Sequence, residues 1–171
     1  MRATASIADP SRGIGSVGAL PPFVTFFEEH RAVVYRYLAL RVGPVDADDC
    51  FQETFLSALK AYPRLAPDSS LRAWVLKIAE RKAIDAMRAR ARRPLAEVDV
   101  PERAGGETSG IDPHLWKAVK QLPPKQQAAI AQRFIADLTY AEIATSMGTS
   151  EEAARQNVRE GLKKLRKGLG K

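Results

Sequence analysis

The chain has 171 residues, with 27 Lys and Arg against 20 Asp and Glu, a formal charge of +7. A single cysteine excludes an internal disulfide and argues against a cysteine-rich zinc site, and no apolar run approaches the length of a membrane span. The basic balance suits a polyanionic partner, most simply nucleic acid.

The first twenty residues are rich in Ala, Gly and Ser, without the sustained apolar stretch of a signal peptide, and are expected to be a disordered tail. The first helical block is expected over 21–93. A helix starts after Pro21-Pro22 and carries Phe26, Phe27, Val33, Val34, Tyr37 and Leu38 at helical spacing. Gly43-Pro44 stops it. A second helix begins around Asp46, with Asp48 and Asp49 in its first turn, where acids favour the positive end of the helix dipole. It runs on through Phe51, Phe55, Leu56 and Leu59, and Cys50 reads as a small buried residue within it. The stretch from Tyr62 to Ser70 holds two prolines and ends in good helix caps, so it reads as a loop.

A third helix, Leu71 to about Arg93, has Leu71, Trp74, Val75 and Ile78 on its apolar face, with Trp74 a core residue. It also carries Arg72, Lys77, Arg81, Lys82, Arg88, Arg90, Arg92 and Arg93, opposed only by Glu80 and Asp85. That density repels itself in isolation, and a phosphate backbone would neutralise it. Residues 94–110 lack periodicity and are rich in Pro, Gly and acids, with Glu97, Asp99, Glu102 and Glu107 facing only Arg103. They read as a flexible acidic linker, and the domains on either side are expected to behave as independent units.

The second block, 111–171, opens with Asp112-Pro113, a cap followed by proline at the first helical position. Leu115, Val119 and Leu122 share a face; Pro123-Pro124 interrupts, and a further helix carries Ala129, Ile130 and Phe134 towards Asp137. The stretch from Thr139 to Lys167 then reads as a helix-turn-helix. Thr139 and Glu142 have capping-box spacing, Ile143 and Met147 share a face, Ala144 permits a close crossing and Gly148 makes the turn. Thr149 or Ser150 caps the second helix, with Glu152 available for another box. That helix offers Arg155, Gln156, Asn157, Arg159 and Lys163, side chains that reach phosphates and base edges in a major groove. The fold class expected is all-α: two small helical domains and a linker, the second domain bearing the helix-turn-helix. There is no Gly-rich phosphate loop and no nucleophile with a base, so no catalytic residue, no cofactor and no metal is expected, and an enzyme is the least favoured class.

Three segments, in order, resemble the extracytoplasmic-function class of bacterial RNA polymerase sigma factors. Asp46-Ala-Asp-Asp-Cys-Phe-Gln-Glu-Thr-Phe55 is similar to the family's core-polymerase-binding helix, which implies that role for Asp49, Gln52, Glu53 and Phe55. Leu71 to Ala79, followed by Asp85 and Arg88, is similar to the helix that reads and melts the minus-ten element. The resemblance thus implies DNA contacts for Lys77, Arg81, Lys82, Asp85 and Arg88, and a pocket for an extruded base near the preceding loop. Leu122-Pro123 with Tyr140-Ala-Glu-Ile-Ala144 and Met147-Gly148 is similar to the domain that reads the minus-35 element, which implies that role for Arg155, Gln156, Asn157, Arg159 and Lys163. The linker would thread the channel that nascent RNA later occupies, its acidity imitating RNA.

The chain departs from the family pattern at Ala154, where valine is usual, at Asn157, where arginine is usual, and at Glu160, where a basic residue is common. Its target sequence is therefore not transferable from relatives. The function implied is a cytoplasmic initiation factor that binds core RNA polymerase and promoter DNA, without membrane insertion. An anti-sigma factor is a partner compatible with the resemblance, though no residue identifies one. The competing reading is a stand-alone helix-turn-helix regulator of duplex operator DNA, which leaves the cationic third helix unexplained.

Overall fold

A computed structural model of the chain describes residues 19–67, 69–93 and 111–170. The tail up to residue 18 and the linker over 94–110 lie outside the described residues, and with them the expectations placed there. The described residues hold seven α-helices and no strand: α1 Phe23–Val42, α2 Pro44–Ala61, α3 Leu71–Arg92, α4 Pro113–Lys120, α5 Pro124–Phe134, α6 Tyr140–Met147 and α7 Glu151–Leu169. A 3-10 turn, Tyr62–Arg64, opens the loop before α3.

Helices α1, α2 and α3 pack on one another around Phe26, Val34, Tyr37, Leu38, Ala47, Val75 and Leu76. The expected stripe of α1 is the buried one, and Gly43, at φ +83°, turns the chain so that Pro44 opens α2. Phe26 touches the rings of Phe23, Phe55, Tyr62 and Trp74, with centroids 5.1 to 6.1 Å apart. Aromatic pairs at such spacing contribute about 0.5–1.5 kcal/mol each beyond their burial. Trp74 is half-buried and packs against this core. Leu56 and Leu59 on α2 point outward and stay exposed.

In the second block each helix starts where its cap dictates. The Asp112 carboxylate accepts from the His114 amide at 2.8 Å, and Pro113 occupies the first turn, where a missing N–H costs nothing. The Thr139–Glu142 capping box is complete: the hydroxyl accepts from the Glu142 amide at 3.2 Å, and the carboxylate accepts from the Thr139 amide at 2.8 Å. Gly148 closes α6 in the left-handed region at φ +62°. Ser150, not Thr149, caps α7 by accepting from the Ala153 amide, so Glu152 falls one position short of the box geometry. Gly161 on α7 lets α5 approach, since a Cβ there would stand 2.8 Å from Ile130 Cγ1.

Among the described residues the two blocks pack on each other. Helix α3 packs against α6, and α1 against α4 and α5. The physical reason lies in polar residues that hydrogen-bond across the junction. Arg41 and Glu80, both in the first block, form a buried ion pair at 2.7 Å. Arg41 also donates to Gln127 Oε1 at 2.5 Å and to the Pro124 carbonyl at 3.3 Å. The Tyr37 hydroxyl donates to Glu80 and accepts from Gln132 Nε2 at 3.1 Å. At the edge Ser70 donates to Glu142 at 2.6 Å and Arg72 to the Ala136 carbonyl at 3.2 Å.

Candidate nucleic-acid interface

Helix α3 carries its charges on two different faces. Lys77, Arg81 and Arg88 line a cleft of about 970 Å³ whose other wall is the α6–α7 turn, with Met147, Gly148, Thr149, Ala153 and Asn157. Lys125 adds a further cation. Glu80 is the one carboxylate lining this cleft among the described residues, and Arg41 pairs with it. Lys82 and Asp85 point elsewhere. They line a smaller cleft of about 270 Å³ between α2 and α3, together with Asp46, Asp49, Cys50, Glu53, Arg90 and Arg93. The five residues expected to act together on DNA are thus divided, because 3.6 residues per turn send Lys77 and Arg81 one way and Lys82 and Asp85 another.

On α2, Asp49, Gln52 and Glu53 are exposed along one face. Phe55 is not: only 7 % of it is accessible, and its ring sits 4.8 Å from Phe27 and 4.9 Å from Phe51. In the folded chain the Phe55 side chain lies in the core and holds α2 in place. Asp46 faces Arg90 across the smaller cleft at 3.7 Å, a partly exposed pair of little energetic weight. The Cys50 thiol is buried, and burial, then Asp46, Glu53, Asp49 and Asp85, push it up to about 11. It is an inert packing residue rather than a nucleophile.

Helix α7 buries Ala154, Val158 and Leu165 and exposes Arg155, Gln156, Arg159 and Lys163. Gln156, Arg159 and Lys163 form one outward stripe. Asn157 lies a step round the helix, half-buried, with its amide donating to the Ala153 carbonyl at 2.9 Å. Gln156 donates to Glu160 at 3.2 Å, and Arg155 pairs with Glu151 at 2.5 Å. Arg155 also lies over the Tyr140 ring at 5.2 Å, with Arg133 at 5.1 Å from the same ring. No group of carboxylates, histidines and cysteines among the described residues could hold a metal ion, and no described helix is long and apolar enough to cross a membrane.

Comparison with known proteins matches residues 26–93 to Sigma-70 region 2 and residues 118–167 to Sigma-70 region 4. The RNA polymerase sigma factor CarQ of Myxococcus xanthus is 32% identical, over 90% of this chain and 92% of CarQ. The ECF RNA polymerase sigma factor SigL of Mycobacterium tuberculosis is 30% identical, over 82% of this chain and 84% of SigL. The chain belongs to the extracytoplasmic-function sigma factors. Its function follows from that membership: it directs RNA polymerase to promoters. The fold agrees with the sigma factor RpoE, solved in complex with the anti-sigma factor NepR from Bartonella quintana. That match has a TM-score of 0.72 and 19% identity, and covers 86% of this chain and 96% of RpoE.

The sequence reading of this sigma factor missed Tyr37, Arg41, Glu80, Gln127 and Gln132 as a group. The signal was present. Arg41 falls in phase with Val34 and Leu38, and Glu80 with Ala73, Leu76 and Ala83. Polar side chains in an apolar stripe either pair across an interface or destabilise it. Tyr37 is fully buried, and burial, then the Glu80 charge, raise its hydroxyl well above the ordinary tyrosine range, so it stays a neutral donor.

Proposed function

We propose a division of labour among three surfaces of this sigma factor. Asp49, Gln52 and Glu53 on α2 dock on a basic surface of core polymerase. Lys77, Arg81 and Arg88 on α3 neutralise phosphates of the melted minus-ten strand, and the loop before α3 supplies part of the pocket for an extruded base, whose unstacking costs a few kcal/mol. On α7, Gln156 reads a base of the minus-35 element, with Arg155, Arg159 and Lys163 holding phosphates. Lys82 and Asp85 act from the other side of α3, and Asn157 from the cleft side of α7. The acidic segment 94–110 links a domain over 21–93 to one over 111–171. The factor works in the cytoplasm, where polymerase and promoters are, performs no catalysis itself, and answers to an anti-sigma factor.

The observation that carries this reading is the cationic face of α3, which lies on a different element from the helix-turn-helix. A stand-alone operator-binding regulator has no use for it, nor for the exposed acids of α2. The test within the second domain separates reading from holding. Gln156→Ala is expected to cost about 1–3 kcal/mol on the preferred minus-35 sequence and little on scrambled DNA, relaxing preference at one position. Lys163→Ala is expected to weaken all sequences alike. Holoenzyme binding to promoters randomised in the minus-35 element reads both. A Gln156→Ala profile equal to wild type at every base sinks the assignment.

A further inference from the structure

We infer that Glu160 is a specificity-determining residue of this sigma factor: it holds the Gln156 amide in the orientation that reads adenine. The inference rests on the assignment of Gln156 as the base reader of α7. Gln156 Nε2 donates to Glu160 Oε1 at 3.2 Å. An ionised carboxylate only accepts, so the amide must turn its NH2 group towards Glu160 and its Oε1 away. One N–H is used in that bond. The second N–H and Oε1 remain, a donor beside an acceptor. That is the fork an amide presents to adenine in the major groove, Oε1 accepting from N6 and the N–H donating to N7. Turned over, the same amide would present its NH2 group where Oε1 stands, and would suit guanine O6 instead. Glu160 disfavours that orientation, because it would set Oε1 against a negative oxygen.

The surroundings favour this role over a plain surface ion pair. Lys164 stands four residues after Glu160, a spacing at which Glu and Lys attract on a helix. Yet among the described residues no cation pairs with Glu160, which takes the neutral amide instead. Arg155 is held by Glu151 and lies over the Tyr140 ring. Asn157, the other amide of this stretch, is turned back on the Ala153 carbonyl, so Gln156 is the amide left to face outward. An acid at this place also has a cost. Glu160 lies among the exposed Arg159, Lys163 and Lys164 on a helix that meets a polyanion, where a cation would neutralise one more phosphate and an acid repels it. The chain departs from the family pattern at this same position. A charge that lowers affinity yet fixes a reader serves discrimination between sequences rather than strength of binding.

The test compares holoenzymes carrying Glu160→Ala, Glu160→Gln, Glu160→Lys and Gln156→Ala on promoters randomised in the minus-35 element. All the replacements are good helix formers, so α7 is expected to persist in each. Wild type is expected to prefer adenine at the position that Gln156→Ala relaxes. Glu160→Ala is expected to lower the preference for adenine over guanine there by about three- to ten-fold, which is what one net hydrogen bond contributes. Glu160→Gln is expected to keep most of the preference, since the new side chain still offers an oxygen to the Gln156 amide. Glu160→Lys has no acceptor, so the preference is expected to fall as in the alanine variant. Its affinity for all sequences is expected to rise, with a salt slope steeper by about 0.9 for one more phosphate met. A residue that merely supported the fold would lose affinity and preference together. The inference is overturned if Glu160→Ala keeps the wild-type adenine preference while Gln156→Ala loses it, or if wild type prefers another base at that position. It is overturned equally if the change falls at a different position, since the carboxylate would then touch a base itself. A Gln156→Ala profile equal to wild type overturns the reader assignment, and this inference with it.

Discussion

Replacing Lys77, Arg81 and Arg88 together by alanine is expected to leave promoter duplexes bound by holoenzyme but closed. Each lost single-strand phosphate contact flattens the dependence of log affinity on log salt by roughly 0.7, so three flatten it by about two. Affinity for the melted strand falls with them by an order of magnitude or more at low salt. The helix itself survives, because alanine is the best helix former and none of the three side chains belongs to the core. Permanganate reactivity of thymines near the start site reports opening. Normal reactivity together with an unaltered salt slope would refute the role of this face. The contrast with Lys82 is informative, since Lys82 lies on the α2 side of α3 and its removal is expected to change the slope less.

The second large effect concerns polymerase. Asp49, Gln52 and Glu53 are exposed on one helix face and hold up nothing in the core. Their joint replacement by alanine is expected to abolish measurable association with core polymerase at concentrations that saturate wild type. The melting temperature should barely move, since exposed substitutions typically alter stability by about 0.5 kcal/mol or less each. Phe55→Ala is expected to behave in the opposite way. It removes an aromatic from the α1–α2 core, at about 3–5 kcal/mol, and weakens polymerase binding only through loss of fold. Sedimentation or pull-down with purified core polymerase, beside thermal unfolding, distinguishes the two. A triple variant that binds normally removes these three residues from the interface.

The helices and their ends were legible because their signals are local. Pro-Pro before Phe23, Gly43-Pro44, Asp112-Pro113, Thr139 with Glu142, and Gly148 each act within one turn, and each stands where the chain needs it. The stripe of α1 was legible for the same reason. The stripe of α3 was read too narrowly. It packs on α1 and α2 through Val75 and Leu76 and on α6 along another side, so a single amphipathic face does not describe it. The division of its charges between two clefts was hidden likewise, since a list of basic residues carries no direction until the neighbours are known. The burial of Phe55 was not legible, because a motif position does not say whether a side chain is exposed or supports those that are. The docking of the two domains was least legible of all. It depends on Arg41 meeting Gln127 and Tyr37 meeting Gln132, pairs separated by 86 and 95 residues, and no local pattern encodes such a meeting.

The central claim is that this chain confers promoter specificity on RNA polymerase. Run-off transcription with purified core polymerase, with and without the protein, on a library of promoter fragments tests it most directly. Defined transcripts are expected from a subset of fragments only when both are present, and are expected to be lost when Lys77, Arg81 and Arg88 are replaced. Tight binding of duplex DNA by the protein alone, with no transcript on adding core polymerase, would contradict it and favour the stand-alone regulator.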